Sequence, residues 1–316
     1  MLGLLKQLRG RDDKGFILVL VLWAMIVLAL MAAGFSSAIR SHLHATASAV
    51  EIARAEAIAD GGVNLALMDL VAARQNTNTA RRFAADGTSN ACRAAGQAEL
   101  IIRIEDEAGK VNLNLANEGL LSTLFMGLGA SADDAGGYAN RILDFIDGDD
   151  DPRPNGAERA DYAAAGSQLD AKNGPLDSAD ELEQVLGLPP DLITQVKAYT
   201  TVHSGLAGID AAVASPRLLA ALDAASLETA TGGLDRVTSA FGDAGLPAKF
   251  AARSNQRAYT INVLARLTSG VQVVSQAVVE FPERRESRYV LHQWRRGSAN
   301  GFDSPAAASG GDLPPC

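Results

Sequence analysis

The side chains best suited to chemistry lie in one run, DFIDGDDDPRPNGAERADY, at 144–162. Asp144, Asp147, Asp149, Asp150, Asp151, Glu158 and Asp161 crowd together there, offset only by Arg153 and Arg159. Counting Asp147 as position 1 puts Asp149 at 3, Asp151 at 5, Asn155 at 9 and Glu158 at 12. Those are the side-chain ligand positions of an EF-hand-type calcium loop. Position 6 of such a loop is glycine, and here it is Pro152, so an EF-hand fold is not expected. The chemistry does not depend on that fold. Carboxylates this close repel unless water separates them or a hard divalent cation draws them together. On that spacing Asp147, Asp149, Asp151, Asn155 and Glu158 are candidate ligands for Ca2+, with Asp161 close behind. The alternative is a solvated acidic loop.

Elsewhere the chemistry thins out. Residues 180–201, DELEQVLGLPPDLITQVKAYTT, have the outline of a helix-hairpin-helix, a unit that can hold DNA phosphates on backbone amides. Asp180, Glu181, Glu183 and Asp191 face only Lys197 there, so a packing role is expected and nucleic acid is not. His42, His44, His203 and His292 are scattered, with no metal-ligand spacing. No nucleophile elbow, phosphate loop or dinucleotide fingerprint occurs, and no enzyme activity is expected. Cys92 and Cys316 are the only cysteines, and an oxidising compartment would permit them to pair. Their spacing leaves that pairing open.

These residues must be positioned by a chain of 316 residues with net charge −9. Lys6, Arg9, Arg11 and Lys14 cluster ahead of a run without charge from Phe16 to Ile39. As a helix that run spans ~36 Å, enough for a ~30 Å hydrocarbon core, and the basic cluster places the N-terminus in the cytoplasm. Residues 40–74 continue as an amphipathic helix, with Ile52, Ala59, Val63, Ala66 and Leu70 in one stripe and a kink expected at Gly61–Gly62. Strand alternation marks 98–106, 259–268, 271–281 and 288–294. Between them, helices are expected at 117–127, 132–146, 178–187, 190–200, 215–226 and 232–243. The fold class is α+β, a long N-terminal helix on a small antiparallel sheet interrupted by a large α-helical insertion. The resulting division is 1–15, 16–39, 40–74, a first sheet part at 75–115, the insertion at 116–250, closing strands at 251–295 and a disordered tail at 296–316.

Three segments together carry a resemblance. Lys14-Gly15-Phe16 ahead of the apolar helix resembles the leader of type IV pilin-like proteins. DEAGKVNLN at 106–114 and the closing AVVEF…RYVLHQWRR resemble the K-type minor pseudopilins of type II secretion systems. The resemblance implies cleavage after Gly15 and methylation of Phe16 by a prepilin peptidase. It further implies an inner-membrane anchor with a periplasmic domain, and assembly with other minor pseudopilins and the major pseudopilin. Most of the class has glutamate at the fifth mature position, where this chain has Leu20, a departure that the K type shares. Lacking that charge, and carrying a bulky insertion, such a subunit would cap the pseudopilus. The K type also holds calcium in its α-domain, and Asp147, Asp149, Glu158 and Tyr162 match its D-x-D…GAE…Y segment, which implies Asp147, Asp149 and Glu158 as the first ligands, then Asp151, Asn155 and Asp161. Leu20, Ile52 and Ala59 are the expected assembly positions. The rival readings are a membrane-anchored DNA receptor and an anchored calcium-dependent hydrolase.

Overall fold

Leu100, Ile102 and Ile104 alternate along β2 (Glu99–Asp106) and are all buried on one face of a sheet. The same face continues through Tyr259, Ile261, Val263 and Ala265 of β5 (Ala258–Arg266). Ala277 and Val279 of β6 (Gln272–Glu280) complete it. With β1 (Asp86–Arg93) and β7 (Val290–Arg296) they form a five-stranded antiparallel sheet in the order β1-β2-β5-β6-β7. The fold is therefore α+β. This computed structural model describes residues 13–75, 81–94, 98–230, 246–282, 289–297, 302 and 313–316. The chain divides into two compact units, Met1–Arg54 and Ala55–Cys316. Residues 1–12 of the expected leader, the side chains of Gly15 and Phe16, and the helix expected at 232–243 lie outside the described residues.

The long helix α1 (Asp13–Gln75) contributes its last turns to the second unit. Ala55, Ala59, Val63, Ala66 and Leu70 are buried there, at helical spacing, and all but Ala55 join the sheet's apolar face. Gly61–Gly62 does not interrupt the helix. A Cβ on Gly62 would lie 2.7 Å from Val263 Cγ1, so this glycine lets helix and sheet approach closely. Ala59 is fully buried, which corrects its expected place on an assembly surface, whereas Ile52 is 45% exposed. In the first unit, Leu18, Leu20, Trp23 and Leu30 are also largely exposed. Among the described residues no helix is long and apolar enough to cross a membrane; in the 16–39 run only the side chains of 18–33 and 35 are described.

Strand β1 lies in a segment where the sequence shows no strong alternation, because its burial pattern is mostly intermediate. Its end is held by the chain terminus. Arg93 N–H donates to Pro314 O at 2.7 Å, Cys316 N–H donates to Arg93 O at 2.9 Å, and Cys92 is disulfide-bonded to Cys316. Within the tail expected to be disordered at 296–316, residues 313–316 are thus held against β1, and Arg296 closes β7.

Between β2 and β5 the chain builds a second hydrophobic core of helices. It contains α2 (Glu118–Gly127), α3 (Ala132–Ile146), α4 (Arg159–Ala164), α5 (Pro190–Val196) and α6 (Pro216–Ala230). The 178–187 helix is replaced by a 3-10 turn over Ala179–Gln184. A short parallel pair, β3 (Val111–Asn112) with β4 (Thr200–Thr201), closes the neck.

The DEAGKVNLN phrase is that neck, and each polar side chain in it has a partner. Asp106 accepts from Ala108 N–H at 2.9 Å and from Ser254 Oγ at 2.5 Å. Glu107 is buried and paired with Lys110 at 2.8 Å. Although burial opposes its charge, Lys110 holds its carboxyl below the usual range. Asn112 donates to Ser204 Oγ, and Asn114 exchanges two hydrogen bonds with the backbone of Leu176. Gly109 leaves no room for a side chain, since a Cβ there would sit 2.5 Å from Val213 O.

Candidate metal centre in the inserted helices

Helix α3 starts on Ser131, whose hydroxyl accepts from Asp134 N–H, and carries Asp133 and Asp134 in its first turn, where carboxylates suit the helix N-terminus. Its buried face runs through Gly137 and Asn140 to Asp144. Asp144 is completely buried and organises the loop beyond it. One oxygen, Oδ2, accepts from Arg153 N–H at 3.1 Å and Ala157 N–H at 3.0 Å; Oδ1 accepts from Arg153 Nη1 at 2.6 Å. Gly156 is required for this wrap, because a Cβ there would fall 1.9 Å from Asp144 Oδ2.

The loop then brings Asp147, Asp149 and Glu158 together, one oxygen of each within 4.8 Å of the others. Ca–O bonds of 2.3–2.6 Å separate opposite ligands by about 5 Å, so this spread fits calcium. Glu158 is 2% exposed; its side chain faces the Asp161 N–H in a capping box at the start of α4, yet neither carboxylate oxygen is satisfied at full hydrogen-bond geometry. Asp147 Oδ1 is likewise buried and unpartnered. Burial, together with Asp144 and Asp147, pushes the Glu158 carboxyl up to about 7. A buried carboxylate among others, with both oxygens unsatisfied, is the chemistry a hard cation relieves. The donor set therefore fits a divalent cation of the calcium class.

The other three candidates fall outside that group. Asp161 Oδ2 accepts from Glu158 N–H at 2.9 Å and so holds the start of α4. Asn155 has a left-handed backbone (φ 59°), and its carbonyl accepts from Arg141 Nε at 3.2 Å. Asp151 is exposed and donates its N–H to Asp149 Oδ1. Tyr162 is buried, and its hydroxyl accepts from Leu186 N–H at 2.9 Å, tying the loop to the GLPP hairpin. In that hairpin Leu182, Val185, Leu188, Leu192, Ile193 and Val196 all enter the core. Lys197 is taken up by Asp180 and Glu183. The segment thus packs, and its lone cation is paired internally.

Two features escape the sequence reading. Asp144 and Arg153 form the centre of the acidic loop; a carboxylate on the apolar face of α3, four residues beyond Asn140, was the available signal. The second is a meeting of histidines. His203, in the loop after β4, stacks on His292 of β7 with ring centroids 4.2 Å apart. Burial, then the neighbouring His292, lowers the pKa of His203. Their sequence separation hides the pair.

Residues 101–205, about a third of the chain, match the family described as type II secretion system (T2SS), protein K. A chain of the crystal structure of the GspK-GspI-GspJ complex from the enterotoxigenic Escherichia coli type 2 secretion system has a similar fold. The TM-score is 0.55 at 16% identity, over 80% of this chain and 99% of that one. No curated protein gives a significant match. The family match and the shared fold bear out the resemblance to K-type minor pseudopilins.

Proposed function

We propose that this chain is a minor pseudopilin of a type II secretion system, non-enzymatic, that caps or initiates the pseudopilus and so supports export of folded proteins. The observation carrying this reading is the 101–205 family match, which spans the neck and the acidic loop. The similar chain's complex contains GspI and GspJ, and the proposed partners are the corresponding minor pseudopilins together with the major pseudopilin. The run from Phe16 to Ile39 serves as an inner-membrane anchor after cleavage at Gly15 and methylation of Phe16. The exposed apolar side chains of Leu18, Leu20, Leu22, Trp23, Met25 and Leu28, which at helical spacing fall on all sides of the helix, support it. The globular unit lies in the periplasm, where the Cys92–Cys316 bond is chemically stable. Asp147, Asp149 and Glu158 hold a structural calcium ion, which supplies the positive charge that the buried oxygens of Asp147 and Glu158 lack. Co-purification of the full chain in detergent with the minor pseudopilins of the same organism tests the reading. A complex of low fixed stoichiometry, with methylated Phe16 at the mature N-terminus by mass spectrometry, is expected. Absence of any complex together with cleavage near residues 33–40 would overturn it.

A further inference from the structure

We propose that His203, Glu280 and His292 form a second cation site, selective for a zinc-class transition metal, that bolts the inserted helices to the edge of the sheet. It is independent of the secretion reading and chemically distinct from the acidic loop. Imidazole nitrogen with a carboxylate suits zinc, whereas all-oxygen sets suit calcium. One ligand atom from each of the three residues lies within 4.8 Å of the other two. His203 comes from the insertion; Glu280 ends β6, and His292 is in β7. The site therefore spans the two hydrophobic cores.

The carboxylate is already oriented as a ligand would be. Glu280 is 9% exposed, and its Oε1 is held by Arg257 Nε and Nη2, both at 2.6 Å. That leaves Oε2, which contacts His292 Nε2 at 2.6 Å. A ligating carboxylate steadied on its outer oxygen is the usual second layer of a metal site. Tetrahedral zinc with bonds near 2.0–2.1 Å places its ligands about 3.4 Å apart, so closure needs movements of up to about 1.4 Å. His292 sits on an exposed edge strand and can supply them. A cavity of about 340 Å³, lined by both histidines, Ser178 and Gln293, gives an ion a route in and room for a water as fourth ligand.

The test uses the full chain in detergent with calcium in excess, so that the acidic loop is occupied. Zinc chloride is titrated by calorimetry, and cobalt(II) is followed through its visible absorption. Uptake of one zinc per chain, a higher melting temperature and tetrahedral cobalt bands are expected. His203→Ala and His292→Ala should each lower zinc affinity about tenfold or more, while Asp147→Ala with Glu158→Ala leaves it unchanged. His292→Ala, on the exposed edge, is the variant expected to keep its fold. Failure of the wild-type chain to take up zinc, or equal uptake by His292→Ala, would overturn the proposal.

Discussion

The Arg153 guanidinium bridges Asp144 and Asp147, donating through Nη1 to Asp144 Oδ1 at 2.6 Å and through the same nitrogen to Asp147. An internal cation thus already occupies one side of the acidic centre. Its competition with an external cation is measurable. Arg153→Gln should bind calcium more tightly than wild type, because Asp147 is freed while Asp144 keeps its backbone donors. The same change should destabilise the chelated protein by about 1–2 kcal/mol, less than for a fully buried pair because Arg153 is partly exposed. Calorimetry and melting curves with and without chelator check both halves. Weaker calcium binding in the variant would place Arg153 among the supports of the site.

Acid sensitivity is expected where α1 meets the sheet edge. Asp60 accepts from Arg296 Nη1 at 2.6 Å, Ser275 Oγ at 2.7 Å and Trp294 Nε1 at 3.2 Å. Burial opposes its charge, but these partners, Arg296 first, hold the carboxyl below its ordinary value. Folding then favours the ionised form. The stabilisation is complete above the unfolded pKa of about 3.9 and is lost as pH falls through the lower folded value. Asp60→Asn should cost about 1 kcal/mol at neutral pH, discounted for its partial exposure. Its acid unfolding curve should be shallower than wild type, and equal curves would count against the linkage.

Gly61 and Gly62 offer a paired test of helix packing. A Cβ at Gly62 meets Val263 at 2.7 Å and Leu100 at 3.3 Å, whereas one at Gly61 meets open space. Gly61→Ala should raise stability by up to about 1 kcal/mol through helix propensity. Gly62→Ala gains the same propensity but overpacks the interface by about 1–3 kcal/mol, so its net effect should be a loss. Thermal melts of both variants decide between this and a simple kink, which would make the two substitutions alike.

Ile52 and Ala59 should now behave differently. Ile52 is 45% exposed and Ala59 is fully buried against the sheet. Ile52→Glu should weaken binding to partner pseudopilins with little change in melting temperature. Ala59→Glu should unfold the second unit, costing several kcal/mol through a buried unpaired charge. A pull-down alongside a melting curve separates the two effects.

What the sequence made legible followed periodicity. Helices α2 and α3 and the alternation of β2, β5 and β6 are visible because one face of each enters a core. Strand β1 is not, since its register is held by pairing with β2 and by the chain terminus, with few apolar side chains of its own. Spacing named Asp147, Asp149, Asp151, Asn155 and Glu158 alike, and only the family resemblance put Asp147, Asp149 and Glu158 first. It gave no sign that Asp144 would become the hub, which depends on backbone donors from Arg153 and Ala157. His203 and His292 meet only through tertiary structure, where spacing carries no information.

Strands β2 and β5 pair residue for residue up to Asp106 and Tyr259. Topologically, everything between them occupies the place of a hairpin turn. Replacing a four-residue turn by a loop of about 150 residues raises the entropy of closure by only about 3 kcal/mol, because the dependence is logarithmic. Even that is an upper figure here, since Val111 pairs with Thr200 and Ile209 bridges Ala251, cutting the long loop into shorter ones. Insert and sheet can therefore vary in size almost independently, and a short turn joining Asp106 to Ala258 should leave a sheet that still closes.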